Sequence, residues 1–210
     1  MLLFKSILLC LLAGYILGGI SGGHVASKMY HTDVREHGSG NLGATNVLRT
    51  LGLKAAIITF AVDVLKVIIP VLIVRYLLFP QYAAYSYENQ LLVLYYAFGA
   101  VIGHNFPMTL NFHGGKGVAC LAATILMFDW RMALPEILIF VLLVAITKYV
   151  SVGSIFVSFF FFGWILLVHD ATLHMALIAA AFPVSVIIMH RSNIVRLLNG
   201  TENKIGSKKK

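Results

Sequence analysis

PEILIFVLLVAITKYVSVGSIFVSFFFFGWILLVHDATLHMALIAAAFPVSVIIM, residues 135–189, holds three apolar runs, near 135–150, 152–168 and 172–190. Only short polar breaks around Lys148 and at His169-Asp170 part them. A helix needs roughly 17–25 predominantly apolar residues to cross a bilayer, and each run meets or nearly meets that length. Working outward, similar runs lie near 6–22, 55–79 and 90–106, with a weaker one at 117–129. Across the 210 residues 60% are hydrophobic and 11% charged, and the mean hydropathy is +0.89. A soluble domain of this size could not hide so much apolar surface, whereas lipid is a matching solvent. The reading is an all-α integral membrane protein, a single membrane domain over 1–210 with no separate soluble module. The apolar N-terminus has the look of a signal peptide, but Gly14, Gly18 and Gly19 continue the run without a cleavage site, so it is taken as a first span. Cys10 and Cys120 fall in or beside apolar stretches and read as small packing residues.

Loop charge sets the number of crossings. With seven spans, Lys28, Arg35, Arg49, Lys54, Lys116, Lys148, Arg191, Arg196, Lys204, Lys208, Lys209 and Lys210 share one side, and Lys5, Arg75 and Arg131 the other. Twelve against three is a strong positive-inside bias; without the span at 117–129 the count becomes six against nine. Seven transmembrane helices are expected, N-terminus outside and C-terminus cytoplasmic. Within the second span Asp63 and Lys66 stand three residues apart, share a helical face and can pair. They read either as a buried structural ion pair or as a prop for a nearby site.

Three polar segments fall on the cytoplasmic side. His37-Gly-Ser-Gly-Asn-Leu-Gly-Ala-Thr-Asn-Val-Leu-Arg49 contains a formal G-x-G-x-x-G. That fingerprint marks a dinucleotide only between a strand and a helix of a βαβ unit, and here it follows a polar run and a transmembrane helix. What remains is a turn at Gly40 and Gly43 where backbone can approach an anion, with donors Ser39, Asn41, Thr45 and Asn46. If a helix starts at Ala44, then Thr45, Arg49 and Gly52 share one face.

The second segment runs from Gly103 through His104, Asn105 and His113 to Gly114-Gly-Lys-Gly117 and Ala119. It is not a Walker A loop, but glycines around Lys116 opening into a helix make an anion nest. His104 and His113 lack cysteine or carboxylate partners nearby, so a metal is not expected there.

The third, His190 to Lys204, leaves the last span; His190, Asn193 and Arg196 recur on one face and Ile194, Leu197 and Leu198 on another, as in an interfacial helix ended by Gly200. Donors and cations dominate the three segments. Their acids are only Asp33, Glu36 and Glu202, too few for a magnesium site. A phosphate or two, bound without metal or cofactor, is the ligand this chemistry fits. The net charge of +8 lies in loops beside spans, which points to lipid headgroups or anionic substrates and not to nucleic acid.

Taken together these segments resemble the bacterial membrane acyl-phosphate:glycerol-3-phosphate acyltransferases. The resemblance rests on S-G-N-x-G-A-T-N-x-x-R at 39–49, G-H-x-x-P…G-G-K-G-V-A at 103–119, and H-x-x-N-I-x-R-L with a following Glu at 190–202. Asp63-Val-Leu-Lys66 is similar to that family's D-x-x-K. Leu42, Val67 and Cys120 depart from the usual Pro, Gly and Thr. The resemblance implies transfer of a fatty acyl group from acyl phosphate to the 1-hydroxyl of glycerol 3-phosphate, giving lysophosphatidic acid and inorganic phosphate. It implies Ser39, Arg49, Lys116, His190 and Asn193 as the residues that bind and orient the phosphate-bearing substrates. Gly114, Gly115 and Gly117 would shape the loop around a phosphoryl group, and Glu202 would support the site. It further implies a bacterial plasma membrane location, a cytoplasm-facing site, membrane lipids as surroundings, and a soluble acyl-phosphate synthase as a partner.

Coenzyme-A-dependent glycerolipid acyltransferases usually carry His-x-x-x-x-Asp, and no histidine here has an Asp five positions on. Two other readings compete. An anion transporter would want a midplane site, and only Asp63 and Lys66 sit at depth. A metal-dependent phosphatidyl-type transferase would need an aspartate cluster that the sequence lacks.

Overall fold

In the computed structural model, which describes residues 1–206, the chain is helical and divides into two compact units, Met1–Phe128 and a second beginning at Asp129. Lys208, Lys209 and Lys210, counted above as cytoplasmic charges, lie outside the described residues.

The first unit holds α1 (Leu2–Gly18), α2 (Gly22–Met29), α3 (Ala44–Leu51), α4 (Leu53–Ile73), α5 (Tyr87–Asn105) and α6 (Val118–Phe128). Its centre is α5, most of whose residues are buried, against α1. The two backbones touch: a Cβ at Gly14 would collide with the Tyr96 carbonyl, and one at Gly99 with the Leu11 carbonyl. Small residues at such crossings let transmembrane helices pack by close van der Waals contact. Cys10 and Cys120 are buried and unbridged. α1 and α2 form one apolar stretch broken at Ser21, whose side chain caps α2 by accepting the His24 amide. Arg75 is buried: its Nη1 donates to the Met127 carbonyl at 2.6 Å, and its guanidinium lies 4.1 Å from the centroid of the Tyr85 ring.

The second unit comprises α7 (Trp130–Thr147), α8 (Val150–Val168), α9 (Leu173–Met189) and α10 (Arg191–Leu198). On α7 Leu134, Ile137, Leu138, Val141, Leu142 and Ile146 are exposed while Met132, Glu136 and Val144 are buried. A face this apolar and exposed is what a lipid solvent permits. At its start Asp129 accepts from the Arg131 amide and guanidinium, from Trp164 Nε1 at 3.1 Å, and pairs with His169 at 3.0 Å. Burial alone would push this carboxyl up, but those hydrogen bonds hold it below the ordinary carboxylate range. Its stabilising effect is therefore full above the unfolded value near 4 and is lost as pH falls below it.

Among the described residues five stretches are long and apolar enough to cross a membrane, and the bent pair α9–α10, with a 59° break, makes up to six. Each of the seven apolar runs falls on a helix. The run at 117–129 is the eleven-residue α6, about 16 Å long, and so shorter than the hydrocarbon core.

Candidate functional site

Asn46 folds the first segment around itself. From the first turn of α3 its Oδ1 accepts the Ser39 amide at 2.8 Å, and its Nδ2 donates to the carbonyls of Val34 and His37 at 3.0 and 3.1 Å. Gly38, at φ +62°, passes so near that a Cβ would strike the Asn46 amide oxygen. Expected above as a substrate donor, Asn46 is buried with both ends of its amide engaged in the loop. Asn41 likewise accepts the Gly43 amide at 2.9 Å, closing the turn into α3. Ser39, Gly40 and Arg49 remain exposed, with Thr45 half-buried. The helix runs from Ala44 to Leu51, where the spacing predicted it. Beneath it Val34, Leu42, Val47 and Leu51 pack with Ala26, Ala55, Ala56 and Leu110. Leu110 comes from the second segment, so this small core joins the first two motifs.

The second segment is stitched to the end of α5. Gly114 N–H donates to the Asn105 carbonyl at 3.1 Å and Gly115 N–H to the His104 carbonyl at 3.0 Å. Those two amides are therefore engaged inside the loop, and the amides available to an anion are at the start of α6, whose first turn has no intrahelical acceptor. Gly117, at φ +75°, turns the chain into α6 against Asn105 and Val101. Lys116 is half-buried between two buried glycines. His113 is exposed, with Nδ1 2.5 Å from the Asn111 carbonyl. His104 and Asn105 are buried, and His104 Nε2 occupies the space a Gly115 Cβ would need. Gly115→Ala must displace the imidazole or the loop. It is expected to cut turnover at least about ten-fold, while Gly163→Ala, with open space around it, leaves turnover unchanged in the same assay.

Behind the loop the Asp63–Lys66 pair forms as the spacing foretold, at 2.9 Å. Among the described residues no group of three or more His, Cys, Asp or Glu is placed to hold a metal ion.

The third segment lies in the second unit and organises around Glu202. Its Oε1 accepts Asn193 Nδ2 at 2.7 Å and Ser151 Oγ at 3.3 Å, and its Oε2 accepts Arg196 Nε at 2.7 Å. Thr201 N–H to the Arg196 carbonyl at 2.8 Å and Gly200 N–H to the Leu197 carbonyl at 3.2 Å, with Gly200 at φ +66°, end α10 in a Schellman motif. The tail then ties back, Ile205 N–H to the Lys148 carbonyl at 2.8 Å. Asn193 thus has its orientation fixed by Glu202, so Glu202 acts in the architecture of this segment. Ser151 and the Lys148 carbonyl complete the hub without having been foreseen. The only sequence signal for them was the polar break at 148–151. His190, buried at the α9–α10 bend, has Nδ1 2.9 Å from the Val186 carbonyl. Since a carbonyl only accepts, Nδ1 carries a proton and a neutral ring holds its lone pair on Nε2.

Residues 8–200 match the family of glycerol-3-phosphate acyltransferases. A glycerol-3-phosphate acyltransferase of Clostridioides difficile (strain 630) is 44% identical over 210 residues, covering 99% of this chain and 98% of that one. One from Acholeplasma laidlawii is 37% identical over 97% and 94%. Among solved structures, the integral membrane glycerol 3-phosphate acyltransferase PlsY (YgiH) in its glycerol 3-phosphate form is similar at a TM-score of 0.82 and 33% identity, with 96% of each chain covered. Its lysophosphatidic acid form gives 0.80 at the same identity and coverage.

Proposed function

This chain belongs to the glycerol-3-phosphate acyltransferase family, and from that premise we propose that its acyl donor is an acyl phosphate, used directly, without a metal or a covalent enzyme intermediate. Its acyltransferase activity is that of a membrane protein of helical fold. The observation that carries the donor assignment is the composition of the motif segments, rich in cations and amide donors and poor in free carboxylates. Asp33 is paired with Arg35 at 2.6 Å, which holds its carboxyl at about 2, and Glu202 is engaged by Asn193 and Arg196. Little is left to hold a divalent cation.

An acyl phosphate is a mixed anhydride and arrives activated. The enzyme has to orient two anions and stabilise the charge on the leaving phosphate and the tetrahedral oxyanion. Orientation of well-placed reactants can lower a barrier by roughly 7–11 kcal/mol. In this scheme Ser39, Arg49 and Lys116 supply a hydroxyl and two cations to the phosphate groups, the Gly114–Gly117 turn shapes the loop, and His190 and Asn193 bind and orient. A phosphate oxygen of the donor takes the proton of the attacking 1-hydroxyl. The tautomer of His190 would also suit a base, and His190→Ala separates the two. Substrate-assisted transfer predicts turnover at saturating substrate within about ten-fold of the native protein with a raised KM, whereas a lost general base lowers kcat by about 10²–10⁴-fold. For the donor, palmitoyl phosphate is expected to yield lysophosphatidic acid in the presence of EDTA while palmitoyl-coenzyme A does not. The reverse preference sinks the assignment.

Seven crossings, with the site facing the cytoplasm of a bacterial plasma membrane and an acyl-phosphate synthase delivering donor from that side, complete the reading. It requires the chain to cross between Lys116 and Arg131. In whole cells a membrane-impermeant maleimide should label Arg131→Cys and spare Lys116→Cys. Labelling of both, or of Lys116→Cys alone, contradicts the topology.

A further inference from the structure

Three ionisable side chains are buried where the glycine loop meets α5. Lys66 Nζ lies 2.7 Å from the Ile20 carbonyl, 2.9 Å from Asp63 Oδ1 and 2.8 Å from His104 Nδ1. Side-chain exposure is 3% for Lys66, 1% for Asp63 and 3% for His104. Asp63 Oδ1 also accepts the Gly22 amide at 3.1 Å and stands 3.3 Å from His104 Nδ1.

An ammonium has three donors and no acceptor, and these three neighbours use all three. Two arrangements of charge fit the distances. In one, charged Lys66 donates to Nδ1 of a neutral imidazole, whose single proton then sits on Nε2. In the other, an imidazolium donates from Nδ1 toward Asp63 beside a neutral Lys66, and an imidazolium has a proton on Nε2 as well. The remaining tautomer, Nδ1–H with a bare Nε2, would set a donor against the ammonium or, beside a neutral Lys66, leave the buried Asp63 carboxylate with no cation. Both permitted states make Nε2 a donor. That atom has no hydrogen-bond partner among the described residues, and it lies against Gly115.

We propose that Asp63 and Lys66 are positioning residues that lock His104 with Nε2–H directed at the Gly114–Gly117 loop, as an added hydrogen-bond donor to the phosphoryl group bound there. The proposal rests on reading that loop as a phosphate cradle. A pair that merely held α4 to the α1–α2 break would be indifferent to the tautomer of His104. Such a donor serves charge that grows on a phosphoryl oxygen, and its direction is set before substrate arrives.

The test begins on the unmodified sequence. Protein labelled with [15N]histidine, which has eight histidines, is followed by NMR in lipid nanodiscs, His104 being assigned by the signal lost in His104→Gln. The expected spectrum has a protonated Nε2 whose shift moves on adding glycerol 3-phosphate or inorganic phosphate. A bare Nε2, or one unmoved at saturating levels of both, overturns the proposal.

A kinetic cycle adds a second readout. Asp63→Asn/Lys66→Met removes both charges together and so leaves no lone buried ion. It should lower kcat/KM with palmitoyl phosphate by at least about ten-fold in the histidine background. In His104→Gln, whose amide donates without help from Lys66, the same change should cost less than about two-fold. Equal losses in both backgrounds assign the pair to structure alone and overturn the proposal. If that double variant fails to fold, the 15N result on the native sequence decides. Failure of the native protein to turn over palmitoyl phosphate would count against the donor assignment and leave the NMR test of His104 standing.

Discussion

Lys116→Ala is expected to lower turnover of palmitoyl phosphate with glycerol 3-phosphate by on the order of 10²–10³-fold, with the protein still folded. The fold should survive because the loop holds itself. Gly114 and Gly115 are tied to α5 carbonyls through their amides, and Leu121 N–H closes onto the Gly117 carbonyl at 2.8 Å. None of those bonds uses the lysine side chain. What is lost is a half-buried positive charge beside a helix start, where partial exclusion of water makes it worth more than in bulk. Lys116→Arg should restore activity only in part, since a planar guanidinium cannot take the place of a compact ammonium among close-set glycines. Turnover near the native rate in Lys116→Ala, measured at saturating substrates with the thermal transition unchanged, would remove Lys116 from the chemistry.

Glu202→Ala is expected to damage both stability and activity, and Glu202→Gln far less. The alanine takes from Asn193, 7% exposed, the carboxylate that orients it, and a hydrogen bond to a charged group contributes about 1.5–3 kcal/mol. It also releases Arg196 and Ser151, which hold the tail against the α7–α8 turn. Arg196 is about one-third exposed, so solvent screens its share. The thermal midpoint should fall by several degrees, roughly the 2–4 °C expected per kcal/mol at this chain length. Glutamine keeps an oxygen for Asn193 and Ser151 and gives up the Arg196 hydrogen bond with its charge, since its NH2 group donates and cannot accept from the guanidinium. If thermal scans of the two variants coincide with the native protein and both remain active, Glu202 is no hub.

Local periodicity carried much of this into the sequence. The apolar runs, the helix from Ala44, the Asp63–Lys66 pair and the Gly200 terminus each depend on neighbours within a few positions. The rest depended on contacts distant in the chain. His104 joins Lys66 across thirty-eight positions, and nothing in its own segment announces that partner. Asn46 sat in a polar motif and read as a donor to substrate, yet Gly38 folds back over it and buries it. Glu202 reads from the sequence as a support for the site, but Ser151, fifty-one positions away on its carboxylate, is not legible there. Asp33 and Asp129 share a local device that is legible in the sequence. In both, Asp-x-Arg lets the carboxylate take the amide and guanidinium two residues on, which engages each acid within its own turn.

Direct transfer makes phosphate release depend on the acceptor, and this is measured with purified protein and palmitoyl phosphate in a lipid mesophase containing EDTA. Inorganic phosphate should appear only when glycerol 3-phosphate is present, in step with lysophosphatidic acid. Release of phosphate without the acceptor, or none with folded protein and both substrates, would contradict metal-free, acyl-phosphate-dependent transfer.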